Sequence, residues 1–327
     1  MPEADEAFAL SHPSGAKMSQ NLKSIFIDGE AGTTGLGIRD RLAALPEVAV
    51  KSIDPDRRKD PAARKEMMAG VDLVVLCLPD DAAKESVALA DELGANAPKI
   101  VDAATAHRVA PGWVYGFAEL APGHADRIAN ANRVANPGCY PTGAIALLRP
   151  LVDAGLLPQD HPVAINAVSG YSGGGKSMIE DHEAGSAPAF ELYGLGLKHK
   201  HLPELQEYAR LTRRPIFVPS VGGFRQGMLV SIPLHLDMLP GRPKLADLGT
   251  ALAERYAGST YVSVVDGALS GGKLEPEALN DTNLLELRVF GDDTLGQAVL
   301  VARLDNLGKG ASGAAVQNIR LMLGLPE

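Results

Sequence analysis

The residues with the clearest chemical potential run Asn136-Pro137-Gly138-Cys139-Tyr140-Pro141-Thr142-Gly143. A lone cysteine stands just behind a Pro-Gly turn, and strong helix formers follow it over residues 144–152, which puts Cys139 at the N-cap or in the first turn of a helix. Unpaired backbone N–H groups and the positive end of the helix dipole favour an anion there. A thiol so placed is expected to lose its proton more easily than a free cysteine, and the thiolate is the nucleophile. The other cysteine, Cys77, lies in the apolar run 71–78, which reads as a buried strand, so it is assigned to the core. Two cysteines in such unlike settings argue against a disulfide framework and for a cytoplasmic protein.

A second constellation is Gly29-Glu30-Ala31-Gly32-Thr33-Thr34-Gly35, set between an apolar strand at 24–28 and a helix at about 36–44. Glycines let the backbone approach a pyrophosphate, whose charge the helix N-terminus receives. The spacing is G-x-x-G-x-x-G, so the strand before and the helix after carry more of the argument than the motif. At the end of the next strand stands Ser52-Ile53-Asp54-Pro55-Asp56-Arg57-Arg58-Lys59. Asp54 would suit a ribose 2′-OH, whereas Ser52, Arg57 and Arg58 suit a 2′-phosphate, and NADP is the expected cofactor. No metal is expected.

Gly170-Tyr171-Ser172-Gly173-Gly174-Gly175-Lys176-Ser177 matches the P-loop pattern letter for letter, and residues 262–266 end in an aspartate suited to magnesium. A P-loop nucleotide-hydrolysing enzyme is therefore a competing class. Against it stand the mid-chain position, a following helix broken by Gly185 and Pro188, and the absence of any task for Cys139. The other use of the segment is a glycine loop that brings Lys176 near an anionic substrate or the cofactor.

The elements needed to position these residues follow from the patterning. Strands at 24–28, 48–53, 71–78 and 99–102 alternate with helices at 36–44, 61–69 and 82–93, which implies a parallel sheet with helices on both faces. After Cys139 the strands crowd together, at 163–169, 216–221, 228–235, 261–265, 283–290 and 297–304, with a clear helix at 244–256. That pattern implies an α+β region with a mostly antiparallel sheet, and the helix at 311–323 is expected to return to the first sheet. The fold class is α/β: a Rossmann-like domain at 22–138, rejoined by 306–327, and a catalytic and dimerisation domain at 139–305. Residues 1–21, with neither a basic start nor an apolar core, read as a disordered extension, and Met18 offers an alternative start. At 327 residues two domains are the better expectation, and a net charge of −9 disfavours nucleic acid or an anionic membrane as partner. No apolar run reaches the length of a membrane-spanning helix.

Several of these motifs occur together in one order. They are the glycine turn, the Asn-Pro-Gly-Cys-Tyr-Pro-Thr-Gly segment, Ser169-Gly170-Tyr171-Ser172-Gly173-Gly174-Gly175, Lys198-His199-Lys200-His201-Leu202-Pro203-Glu204, and Asp305-Asn306-Leu307-Gly308-Lys309-Gly310-Ala311-Ser312-Gly313. Over residues 22–327 the set resembles the N-acetyl-gamma-glutamyl-phosphate reductase family of arginine biosynthesis, in its shorter type 2 form. Asp102-Ala103-Ala104-Thr105-Ala106-His107-Arg108 resembles the family's substrate-anion segment, with alanine at 104 where the family often has serine. The resemblance implies an acyl-phosphate substrate, attack by Cys139, loss of phosphate to a thioester, and reduction by NADPH. It implies an acid/base at His201 or His199 and substrate-anion contacts at Arg108, Lys176 or Arg225. It further implies that Ser172, Gly173, Asn306, Lys309 and Gly310 lie by the cofactor, and the β-rich second domain suits a homodimer or homotetramer. An aminoadipyl substrate stays open, because one methylene is worth only about 1–3 kcal/mol in discrimination. An aspartyl substrate is a further alternative, and a regulator that binds NADPH without turnover is a third.

Overall fold

The computed structural model describes residues 22–266 and 272–326; the expected N-terminal extension lies outside them. The chain opens with β1 (Lys23–Asp28), α1 (Thr33–Ala43), β2 (Val48–Lys51), α2 (Pro61–Ala69), β3 (Leu73–Leu76), α3 (Asp80–Asp91) and β4 (Lys99–Asp102). Then follow β5 (Val114–Tyr115), α4 (His124–Ala129) and β6 (Arg133–Ala135). The six strands form one parallel sheet in the order β2-β1-β3-β4-β6-β5. Both faces are covered, which is why β3 is apolar and buried at every position. Ile25, Ile27, Leu73, Val75 and Val101 pack with Ile38 and Leu42 of α1, while Phe26, Val74, Leu76 and Ile100 pack with Met68 of α2 and Val87 of α3. The strand order reverses between β1 and β3, and a crevice opens beyond their carboxyl ends where the glycine turn sits.

The second part begins with α5 (Cys139–Asp153), β7 (Ala164–Gly170), α6 (Lys176–Glu183), β8 (Phe190–Leu192) and α7 (Leu202–Tyr208). It continues through β9 (Ile216–Gly222), β10 (Met228–His235), α8 (Leu245–Arg255), β11 (Val262–Val264), β12 (Leu285–Asp292) and β13 (Gln297–Leu304). Its seven strands run β11-β12-β13-β10-β7-β9-β8. Four of the pairings are antiparallel and two, β11 with β12 and β7 with β9, are parallel. Helices α5, α7 and α8 supply Leu147, Leu205 and Leu252 to the core on one face. The chain then crosses back through α9 (Gly313–Leu323), whose Ala315, Ile319 and Met322 join the core of the first sheet.

α5 contains Pro150, which lacks the N–H that would bond the Ala146 carbonyl. The Tyr256 hydroxyl donates to that carbonyl at 2.9 Å, so the helix stays unbroken and α8 is tied to it. Several expected bounds shift. β2 stops at Lys51 rather than 53, β3 covers 73–76 rather than 71–78, and α1 begins at Thr33, three residues early. β5, β6 and β8 are two or three residues long, too short to show a period.

Candidate active site

Cys139 is the first residue of α5, behind an extended Gly138 N-cap. The Tyr140 N–H reaches the Cys139 sulfur, as the helix start requires. Burial nevertheless pushes the thiol up, and it outweighs the opposing pull of that N–H and of Arg108. The expected easily ionised thiol is therefore corrected: desolvation wins at this helix start, and the proton stays on sulfur. Cys77 is likewise raised, to about 12, by burial and then by Asp102 and Asp28.

Cys139 shares a cavity of about 170 Å³ with Arg108, His201, Lys200, Asn306 and the turn at Thr33-Thr34. Glu204, in the first turn of α7, organises these groups. Its Oε1 accepts from Arg108 Nη1 at 2.6 Å and from His201 Nδ1 at 2.7 Å, and its Oε2 accepts from the Tyr115 hydroxyl at 2.8 Å and the Gly138 N–H at 3.0 Å. A carboxylate cannot donate, so Nδ1 carries the His201 proton and Nε2 is left as the basic nitrogen. Burial alone would raise the Glu204 carboxyl, but Arg108, His201 and the Gly138 N–H together hold it at about 2. Burial pushes His201 down against the pull of Glu204, so the imidazole is neutral. Position 138 must be glycine because a Cβ there would lie 2.5 Å from His201 Nδ1 and 2.7 Å from Arg108 Nη1.

Of the two histidines in the motif, His201 lines the cavity and His199 stands behind it. His199 Nδ1 accepts the His201 N–H at 3.2 Å, its ring packs edge-on against Phe217, and burial lowers it to about 4. Arg108 also donates to the carbonyls of Asn136 at 3.0 Å and Ala103 at 3.3 Å, so most of its fork is spent on the protein. Two other expected anion ligands are elsewhere. Lys176 is 81% exposed beside Glu180, and Arg225 is 58% exposed and paired with Glu183 at 2.7 Å. Lys200 lines the cavity instead and has no ion pair among the described residues. The sequence named Lys200 only as part of a motif.

The P-loop reading fails on its hydrogen bonds. The N–H groups of Gly170, Tyr171 and Ser172 donate to the carbonyls of Gly227, Phe224 and Arg225, and that of Gly175 donates to Ser172, so they form no phosphate cradle. β11, meant to carry the magnesium aspartate, lies four strands away from β7. The segment serves the cysteine cavity: Ser172 and Gly173 line it, and Asn306 Nδ2 donates to Ser172 Oγ at 2.9 Å. Asn306 and Gly310 also line the cavity, but Lys309 does not. Residues Gly308–Ser312 form a π-helical turn, and Lys309 points away from the cavity, 1% exposed, bonded to Glu119 at 2.8 and 2.9 Å and to Gln317 at 2.7 Å.

A second cavity of about 360 Å³ opens beside the glycine turn, walled by Asp28, Gly29, Glu30, Ile53, Arg58 and Lys59. Gly29 has a φ of +90°, and a Cβ there would lie 2.8 Å from the Cys77 carbonyl carbon, so only glycine permits the turn. Gly32 caps α1, and Gly35 is buried in its first turn. From this cavity the start of α1 leads through Thr33 and Thr34 into the cysteine cavity. A dinucleotide with its adenosine in the glycine-turn cavity, its phosphates at the helix start and its nicotinamide in the cysteine cavity fits this arrangement. Asp54 is spent on its own turn, accepting the Asp56 N–H, and Arg57 faces the Asp60 cap, leaving Ser52 and Arg58 of the expected cluster.

The chain matches two families: semialdehyde dehydrogenase, NAD binding domain, over residues 29–128, and semialdehyde dehydrogenase, dimerisation domain, over residues 139–306. It is 55% identical to N-acetyl-gamma-glutamyl-phosphate reductase of Brucella ovis over 92% of this chain and 98% of that one. It is 54% identical to the reductase of the same name from Chelativorans sp., over 91% and 97%. Among solved structures, aspartate semialdehyde dehydrogenase II of Vibrio cholerae complexed with ASA superposes with a TM-score of 0.68 at 15% identity, over 93% of this chain and 98% of that one. Aspartate semialdehyde dehydrogenase of Francisella tularensis gives 0.71 at 11% identity, over 93% and 100%. These structures share the fold, and the sequence relatives fix the family: the chain belongs to the N-acetyl-gamma-glutamyl-phosphate reductases.

Proposed function

We propose that this protein reduces N-acetyl-L-glutamyl 5-phosphate to N-acetyl-L-glutamate 5-semialdehyde and phosphate with NADPH, in arginine biosynthesis. The observation that carries the reading is the Cys139–His201–Glu204–Arg108 cluster beside a cavity lined by the start of α1, whose preceding glycine turn walls a separate crevice, in a chain 55% identical to such reductases. With the thiol raised and the imidazole lowered, the resting pair is neutral, so attack and proton transfer are coupled. His201 Nε2 takes the thiol proton as sulfur bonds to the acyl carbon. The C–O bond to phosphate breaks, the imidazolium gives its proton to the departing oxygen, and a thioester remains on Cys139. Glu204 stabilises the imidazolium in between. NADPH, when bound, would supply the hydride that reduces the thioester carbon. The resulting oxyanion, held by the Cys139 N–H at the start of α5, collapses to the aldehyde and expels sulfur, which takes up a proton that His201 relays from solvent. Arg108 stays locked to Glu204, so Lys200 is assigned to the substrate phosphate.

In this reading residues 22–138 and 306–327 hold the nucleotide, and residues 139–305 supply catalysis and dimerisation. Phe190, Leu192, Leu229, Phe290, Val299 and Val301 line a shallow apolar depression of about 550 Å³ on the seven-stranded sheet, a face suited to a second copy of the chain in a homodimer or homotetramer. Two free cysteines suit a cytoplasmic enzyme. Mixing the protein with the acyl phosphate but no nucleotide tests the thioester: stoichiometric phosphate release and an N-acetylglutamyl mass adduct on Cys139 are expected. An unmodified cysteine with no phosphate release would contradict the mechanism.

A further inference from the structure

The glycine turn carries a charged constellation that the mechanism does not use. Glu30, in the turn, accepts from Ser52 Oγ at 3.0 Å and pairs with the Arg39 guanidinium, and Arg39 Nη1 donates to Ser52 Oγ at 2.8 Å. Three segments meet here: the turn, the second turn of α1 and the residue just after β2. Glu30 is part of the wall of the adenosine-side cavity, with Arg58 and Lys59, which have no ion pair among the described residues. Arg39 and Glu30 are 43% and 35% exposed, and so open a pair contributes little, so its charges can change partners at small cost.

We propose that Arg39 and Ser52 form the receptor for the nucleotide 2′-phosphate, and that Glu30 is its displaceable counter-ion. The inference rests on the reductase reading and deepens it, because it assigns the choice between NADPH and NADH to one guanidinium. Glu30 already shows that an anion fits between Arg39 and Ser52. A phosphate monoester carries about −1.5 to −2 charge and offers two oxygens to the guanidinium fork, so it displaces a single carboxylate. Glu30, once released, repels the phosphate but can accept from an unmodified ribose 2′-OH. The two side chains therefore pull nucleotide preference in opposite directions.

Titration of nicotinamide fluorescence gives Kd values for NADPH and NADH without turnover. Arg39→Met is expected to weaken NADPH about tenfold or more, the scale of a lost charge-assisted hydrogen bond, and to leave NADH within about twofold. Ser52→Ala is expected to weaken NADPH alone, and Glu30→Gln to weaken NADH while holding or tightening NADPH. Circular dichroism melting identifies any variant that fails to fold, and the remaining two then decide. Unchanged NADPH affinity in Arg39→Met, or equal loss of both nucleotides, would overturn the receptor. An unchanged NADPH-to-NADH ratio in Glu30→Gln would overturn the counter-ion. If the unsubstituted protein binds neither nucleotide, the reductase reading falls and takes this inference with it.

Discussion

Glu204 fixes the His201 tautomer and ties together the groups around Cys139, and the sequence did not single it out. Its carboxylate reads there as an ordinary negative charge in the first turn of a helix. The available signal was the His201-x-x-Glu204 spacing, which puts both side chains on one helix face. Glu204 bonds His201, Arg108, Tyr115 and Gly138 together, and its negative charge also raises the Cys139 thiol. Glu204→Gln therefore has two opposed effects. The pH midpoint of Cys139 alkylation by iodoacetamide should fall, while kcat should drop about 100-fold because the imidazolium loses its partner. A kcat that rises with thiol reactivity would contradict this role. The same cluster sets acid stability. His201 is lowered from 6.5, so the unfolded chain binds its proton first and stability declines as pH falls below about 6.5. Glu204 is lowered from 4.5 to about 2, so its contribution is complete above 4.5 and is lost as pH falls towards 2. Chemical denaturation between pH 7 and pH 3 should show this decline, and Glu204→Gln should flatten its lower part.

At the scale of elements, the strand–turn–helix around Gly29 and the helix start at Cys139 were legible, because glycine, proline and apolar runs mark them directly. Lys309 was not. Its motif placed it near the nicotinamide, but the Gly310 N–H bonds the Asp305 carbonyl and the Ser312 N–H bonds the Leu307 carbonyl. Such wide turns insert an extra residue that no sequence period reveals, and the inserted turn swings Lys309 to the opposite side. There it forms a buried pair with Glu119, whose carboxyl burial would raise but Lys309 and Gln317 hold low. Lys309→Met leaves Glu119 buried without its cation and should cost about 3–5 kcal/mol in urea unfolding, much of which Lys309→Met with Glu119→Leu should restore. A stable single variant would remove the pair from the account. Gly138→Ala should likewise cost activity more than stability, by pushing His201 and Arg108 apart; unchanged kcat would show that the fit at Gly138 is loose.

For the whole molecule, the parallel sheet followed from the strand–helix alternation, and the C-terminal helix, expected to return, packs Ala315, Ile319 and Met322 into the core of that sheet. The register of the second sheet did not follow, since β7 pairs parallel with β9 but antiparallel with β10, and only long-range contacts decide that. Its open face supplies a further prediction. Val299, 38% exposed on β13, sits in the apolar depression, and Val299→Glu should convert an oligomer to a monomer in sedimentation velocity. An oligomer of unchanged mass would place the interface elsewhere. The central claim, a cysteine-borne acyl transfer coupled to NADP, is tested most directly by the reverse reaction. Purified protein is given N-acetyl-glutamate 5-semialdehyde, phosphate and NADP⁺, and NADPH absorbance is followed, with the aminoadipyl and aspartyl semialdehydes in parallel. Phosphate-dependent NADPH formation with the glutamyl substrate is expected, lost in Cys139→Ala although that variant still binds NADPH. Turnover that persists in Cys139→Ala, or that ignores phosphate, would contradict it.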